Sequence, residues 1–354
     1  MYILYGLLIL SSISLYSMFD ESDINTRLSN ANECVERYSS QIPNFSPQMV
    51  ANNHTIAILA LPPLPNEKRL YNPQLHLIKR IEKNIYSLQH TNNTVFGRRG
   101  IALDDNRIYV STENNHIAVL HMHSYAQRAL IPLIPGCGNI SGLSKNKNND
   151  TKIAASVSAW DPKQFREYSY IMDIDLTTPT TNTKIYNPYC VAHITNDPTE
   201  QCIASQSWKN ICTIADRRTG KIEMAWHDAK AERDLFPDSI TYDPSGTIIL
   251  SARHTKNKDT GYFSIFDIRN KKTSTYFEKS IMAPFFINNT LMSVANKKDN
   301  SFQILKTTQN SLEGVGIIKP FTAIEWDQTV FNSNKSELIG KVKNNPCALV
   351  TCTF

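Results

Sequence analysis

From about residue 54 onward, apolar residues gather in short runs separated by clusters of Asp, Asn, Pro, Gly, Ser and Thr, a punctuation that predicts strands and turns. One pattern recurs: a short strand, a turn, an apolar strand, a polar loop, another apolar strand, a loop and a last short strand. Its clearest copy is SITYDPSGTIILSARHTKNKDTGYFSIFDIRNKKTSTYFE at 239–278. Within it, Asp243-Pro244-Ser245-Gly246 predicts a tight turn, because Pro fixes the first bend and Gly accepts the positive φ that ends it. The run TIILSA is apolar on both faces, as a strand between neighbouring sheets must be. YFSIFDI alternates, with Phe263 and Ile265 on one side and Phe266 and Ile268 on the other.

Related copies run at 100–124, 140–176 and 191–226, and two more start at Pro284 and Phe321. First strands taken at 100, 140, 191, 239, 284 and 321 recur at intervals of 37 to 51 residues. A four-stranded propeller blade takes about 40–45 residues, so the spacing predicts an all-β propeller and not a pair of β-sandwich domains. The segments IADRRTGKIEMAW and IFDIRNKK carry a further likeness. They resemble WD-repeat β-propellers, in which the third strand of a blade ends in Trp-Asp followed by a basic residue and a turn. Asp216 and Asp267, and more loosely Asp173, hold the Asp position, while Ala215, Phe266 and Met172 replace the Trp. The Gly-His pair usual ahead of a first strand is absent, so the repeats are degenerate. The likeness covers about 96–354 by pattern.

Strand candidates TIAILAL, LHLIKRI and NIYSLQ at 54–95 supply material for another blade, which favours seven blades, with six as the alternative. The propeller is therefore assigned to 54–354. The last copy ends in its third strand, so closing the ring calls for a fourth strand from the N-terminal part, with 54–61 as the expected source. Residues 18–53 read as a linker with a short helix, capped by Asp23 and presenting Ile24, Leu28, Ala31, Val35 and Tyr38 on one face. Residues 1–17 read as a signal peptide, because the apolar run from Tyr2 to Tyr16 contains small residues and meets Asp20 and Glu21 directly afterwards. A basic segment ahead of the run is missing. This predicts an exported chain, periplasmic or secreted, with no membrane span once matured.

Composition narrows the function classes. With 354 residues, 41% hydrophobic and 19% charged, the chain is globular, and a net charge of +5 is too mild to point to specific nucleic-acid binding. Seven cysteines spread over this length do not make a disulfide scaffold. Cys202 and Cys212 flank a short hairpin loop and are the best candidate pair, the alternative being two small buried hydrophobes. His121 and His123 alternate onto one face of a strand, but no third metal ligand accompanies them. No nucleophile-elbow, zincin or phosphate-loop motif occurs, and no cofactor is expected. Asp104, Asp105, Glu325 and Asp327 are the acidic candidates for a channel site in a propeller enzyme, set against ordinary turn chemistry.

The loops between second and third strands carry a different signal. In a propeller they emerge on one face with the links between blades, and here they hold a charge excess equal to that of the whole chain. Trp160, Phe165, Trp208, Lys209, Arg253, His254, Lys256, Lys297 and Lys298 are the partner-binding candidates, since aromatic and basic residues anchor interfaces. The expectation is a non-enzymatic scaffold for a protein or peptide partner of acidic character. The alternative is a hydrolase-like enzyme using a metal or the channel acids.

Overall fold

The computed structural model describes residues 32–37, 49–60, 74–82, 85–92, 96–112, 115–133, 140–145, 151–161, 163, 166–178, 183–227, 235–255, 260–279, 281–296, 299–307, 312–320, 322–332, 337–345 and 348–353. They form seven four-stranded antiparallel sheets and no helix among the described residues. Six sheets are consecutive in sequence, at 49–92, 96–132, 140–187, 191–227, 235–279 and 281–318. Within each, strand order follows chain order, and the first strands of successive blades pack against one another around the axis. The ring is thus a seven-bladed propeller, as the repeat spacing predicts.

The seventh blade closes the circle with strands from both ends of the described chain. Ile324–Asn332, Glu337–Val342 and Ala348–Thr353 are joined at the outside by Asn32–Arg37, with Asn32 opposite Thr353 and Arg37 opposite Ala348. Closure by an N-terminal strand was expected, but from 54–61. Thr55–Ala60 is instead the second strand of the first blade, behind Met49–Ala51. Val35, expected on the linker helix, lies in the closing strand; the remainder of that helix and the signal segment at 1–17 lie outside the described residues. The ring therefore begins ahead of residue 54.

The repeat pattern has a simple physical cause. Second and third strands are sandwiched between neighbouring sheets, so TIILSA-like runs are buried on both faces: Ile203–Ser207 and Glu337–Val342 are buried throughout. Outermost strands have one free face, and Lys221–His227 alternates exposed and half-buried positions. Each interface between blades holds an apolar cluster; Ala204, Cys212 and Ile214 of the fourth blade, for example, pack on Ile249 and Phe266 of the fifth. Trp226 stacks on Phe266 there at 4.1 Å and 10°. Six innermost strands contain a register shift against their neighbour, which bends them as they pass the axis.

Turns from first to second strands share one chemistry. Asn52, Asp104, Asp197, Asp243 and Asn288 each accept backbone N–H groups from the residues that follow them. Asp243 takes the amides of Thr247 and Ile248 at 2.8 and 2.7 Å. Gly246 has φ +74° and donates its N–H to the Asp243 carbonyl, so the turn ends as the sequence predicts.

Candidate functional site

Because every blade repeats the same antiparallel order, turns from second to third strands leave on one face of the ring and turns from first to second strands on the other. The two faces differ chemically. On the first-to-second face, acids are tied to their own turns. Asp104 is buried, receives the amides of Asn106 and Arg107 and the Tyr109 hydroxyl at 2.6 Å, and is thereby a structural residue. The Tyr109 pKa is raised by burial and by that bond. Asp105 is exposed beside it, and Glu325 and Asp327 lie on the innermost strand of the seventh blade.

His121 and His123 sit on the same side as Asp104, in the turn leaving a third strand, with rings 5.5 Å apart and edge to face. His121 Nδ1 accepts the Ser124 amide, and the His121 pKa is lowered by partial desolvation and then by Arg128 and His123. No group of three or more His, Cys, Asp or Glu side chains suited to a metal is present among the described residues. Of the two readings of the cysteine pair, the structure shows the one without a disulfide. Cys202 stands opposite Asp216 and Cys212 opposite Gln206, so the hairpin register offsets the two thiols, and no disulfide joins them. Burial, then Asp197, Asp216 and Glu223, push the Cys202 thiol up to about 11, which keeps it protonated and unreactive at neutral pH.

The opposite face carries the aromatic candidates. Trp160 is the next-to-last residue of the second strand of the third blade and is 55% exposed. Trp208 and Lys209 form the turn between Cys202–Ser207 and Ile211–Asp216; the indole is half-buried and the lysine exposed. The Trp208 amide is anchored on the Cys190 carbonyl in the link from the third blade. Its ring meets Phe236 edge to face at 6.3 Å, and Phe236 stacks on His254 at 6.0 Å and 16°. The His254 Nδ1 lies 2.8 Å from the Thr255 carbonyl, which fixes the ring. Trp208, Phe236 and His254 therefore make a continuous aromatic row across the junction of the fourth and fifth blades.

Phe236 escaped the sequence reading. It opens the innermost strand Leu235–Tyr242, and the adjacent Leu235-Phe236 pair looks like core until the strand's alternation turns Leu235 inward and leaves Phe236 37% exposed. Arg253 is the main correction: expected as an exposed binding residue, it is only 2% exposed. It lies on Ile248–Thr255 in register with Pro237 and Tyr262, on the side of Ile249 and Ser251 that faces the fourth blade. Gln206 crosses that junction to Ser251 Oγ and the Ala252 carbonyl. Arg253 thus belongs to the packing beneath the aromatic row. Phe165, Lys256, Lys297 and Lys298 lie outside the described residues.

With this geometry in place, comparison with known proteins is informative for the architecture. The chain superposes on the WD40 domain of a Toxoplasma gondii coronin with a TM-score of 0.61 and 12% identity, covering 91% of this chain and 86% of that one. The fold is a WD40-type propeller. A chain of a mitotic checkpoint complex superposes equally well, at TM-score 0.62 and 10% identity over 91% of both chains. No protein-family model matches the WD40-like chain, and no curated protein sequence does. The likeness is therefore one of fold, carried by blade geometry and little by shared residues.

Proposed function

We propose that this WD40-like chain is a non-enzymatic scaffold that holds an acidic protein or peptide segment on the face where the turns between second and third strands emerge. WD40 propellers commonly serve as interaction scaffolds, which supports this function class. The observation that carries the reading is the row Trp208, Phe236 and His254, with exposed Lys209 at its end and exposed Trp160 on the neighbouring blade. Aromatic anchors beside a cation fit a partner that combines an apolar side chain with carboxylates. The basic content of the loops on this face adds an attraction that salt screens. The apolar segment at 2–16 supports export and, with it, a partner met outside the cytoplasm.

A Glu-rich peptide carrying one aromatic residue is the probe, with a Lys-rich peptide as control. Lys209→Glu and Trp160→Ala each weaken capture of the Glu-rich probe by about five- to thirty-fold, the range of a 1–2 kcal/mol anchor, and leave melting unchanged. Raising salt weakens the wild-type protein toward the Lys209→Glu level. Unaltered capture in both variants would remove this face from the assignment.

A further inference from the structure

The junction between the first and seventh blades, which completes the ring, differs from the others in what it buries. Its apolar cluster of Met49, Ile56, Ile58, Ile78, Ile339 and Leu349 is the smallest of the described clusters. His76 stands opposite Ile58 in register and therefore shares the face that Ile58 and Ile78 turn toward the seventh blade. It is 7% exposed, and neither Nδ1 nor Nε2 has a hydrogen-bond partner. Burial lowers its pKa from 6.5.

Among the described residues, the ionisable groups around it are unevenly placed. Thr55–Ala60 and Met49–Ala51, its companions in the sheet, carry none. Ile85–Asn92 carries His90, which is opposite Leu77 and so at a position of the other face. Lower on its own strand are Lys79, opposite Thr55, Arg80, opposite Tyr86, and Glu82, opposite Ile85, the last two in step with His76. Across the junction, Glu337–Val342 brings Glu337 and Lys341, both buried and in step with Ile339. On the outer strands of that blade, Glu36 holds the position opposite Leu349, and Glu325 and Asp327 lie on its innermost strand. His76 is near the start of a third strand and Lys341 near the end of a second, so both lie toward the face of the aromatic row, whereas Glu337 lies toward the opposite face.

We propose that this junction is an acid-sensitive clasp: His76 keeps it shut as a neutral imidazole, and proton uptake parts the first and seventh blades while the other junctions stay packed. A neutral ring is tolerated among isoleucines, but an imidazolium with no acceptor among the described residues is not, and the facing blade offers Lys341, of like charge, at the same end, on the rung that also carries Leu349 and Glu36. The sign follows from the depressed folded value. Stability is complete above the unfolded pKa near 6.5 and is lost as pH falls from there toward the folded pKa. Within that window each pH unit raises the opened population by up to about tenfold.

Hydrogen exchange at pH 7.5 and 5.5, corrected for the intrinsic rate, tests the clasp on the full chain. Backbone amides of 55–60 and 337–342 lose about tenfold in protection at the lower pH, while those of 152–161 and 202–207 hold theirs. His76→Leu and His76→Gln, neither of which can take the proton, abolish the difference. Should the leucine variant fail to fold, the wild-type map and the glutamine variant still decide. Protection retained at pH 5.5, loss spread evenly around the ring, or loss persisting in a folded variant would overturn the proposal.

Discussion

Arg253 shows how residue type can mislead when both faces of a strand are covered. A charge inside SARHT reads as a loop cation, yet the strand continues through Thr255, and the alternation that half-exposes His254 drives Arg253 between two sheets. Its guanidinium lies where reversal of charge is most costly. Arg253→Glu is therefore expected to lower stability by about 3 kcal/mol or more, while Lys209→Glu, on an exposed turn, changes it by less than about 0.5 kcal/mol. Urea unfolding of the two variants checks the contrast, and equal midpoints would place Arg253 back on the surface. Gly246 is the converse case, legible from sequence because its demand is local. A Cβ there would meet Pro198 Cδ at 3.2 Å at a φ of +74°, so Gly246→Ala is expected to cost about 1–2 kcal/mol by the same measurement.

At the level of elements, the blades were legible because middle strands must be apolar on both faces, and that requirement repeats seven times. The closing strand was not. NECVER has apolar Cys34 and Val35 side by side and satisfies a helical face as readily as a sheet edge. What makes it a strand is the open edge of Ala348–Thr353, information held at the far end of the chain. The aromatic row was half legible for the same reason: Trp208 stands out in a short polar turn, whereas Phe236 is distinguished from core only by the orientation of its strand. Deleting residues through Arg37 is expected to uncover the Ala348–Thr353 edge, lowering the melting temperature and driving aggregation, whereas deleting through Ala31 spares it. Light scattering during a thermal ramp compares the two; matching curves would show that the seventh blade stands without its fourth strand.

Over the whole molecule, the ring separates two kinds of polar chemistry. One face uses Asp and Asn side chains to hold turns, and the other presents an aromatic row with exposed Lys209 and Trp160. Stability and recognition therefore draw on different faces, and substitutions can be directed at one with little effect on the other. The closing pair also sets a timetable. Asn32 finds Thr353 as its partner, so the closing strand must wait until the six intervening blades and the rest of its own have been synthesised. At ~5–20 residues per second that wait is on the order of tens of seconds, during which six blades can assemble around an unfinished seventh. A ribosome pausing ahead of Ala348–Thr353 would hold a nearly complete ring with an unpaired strand at each side of the gap, the state in which a chaperone would have most to protect.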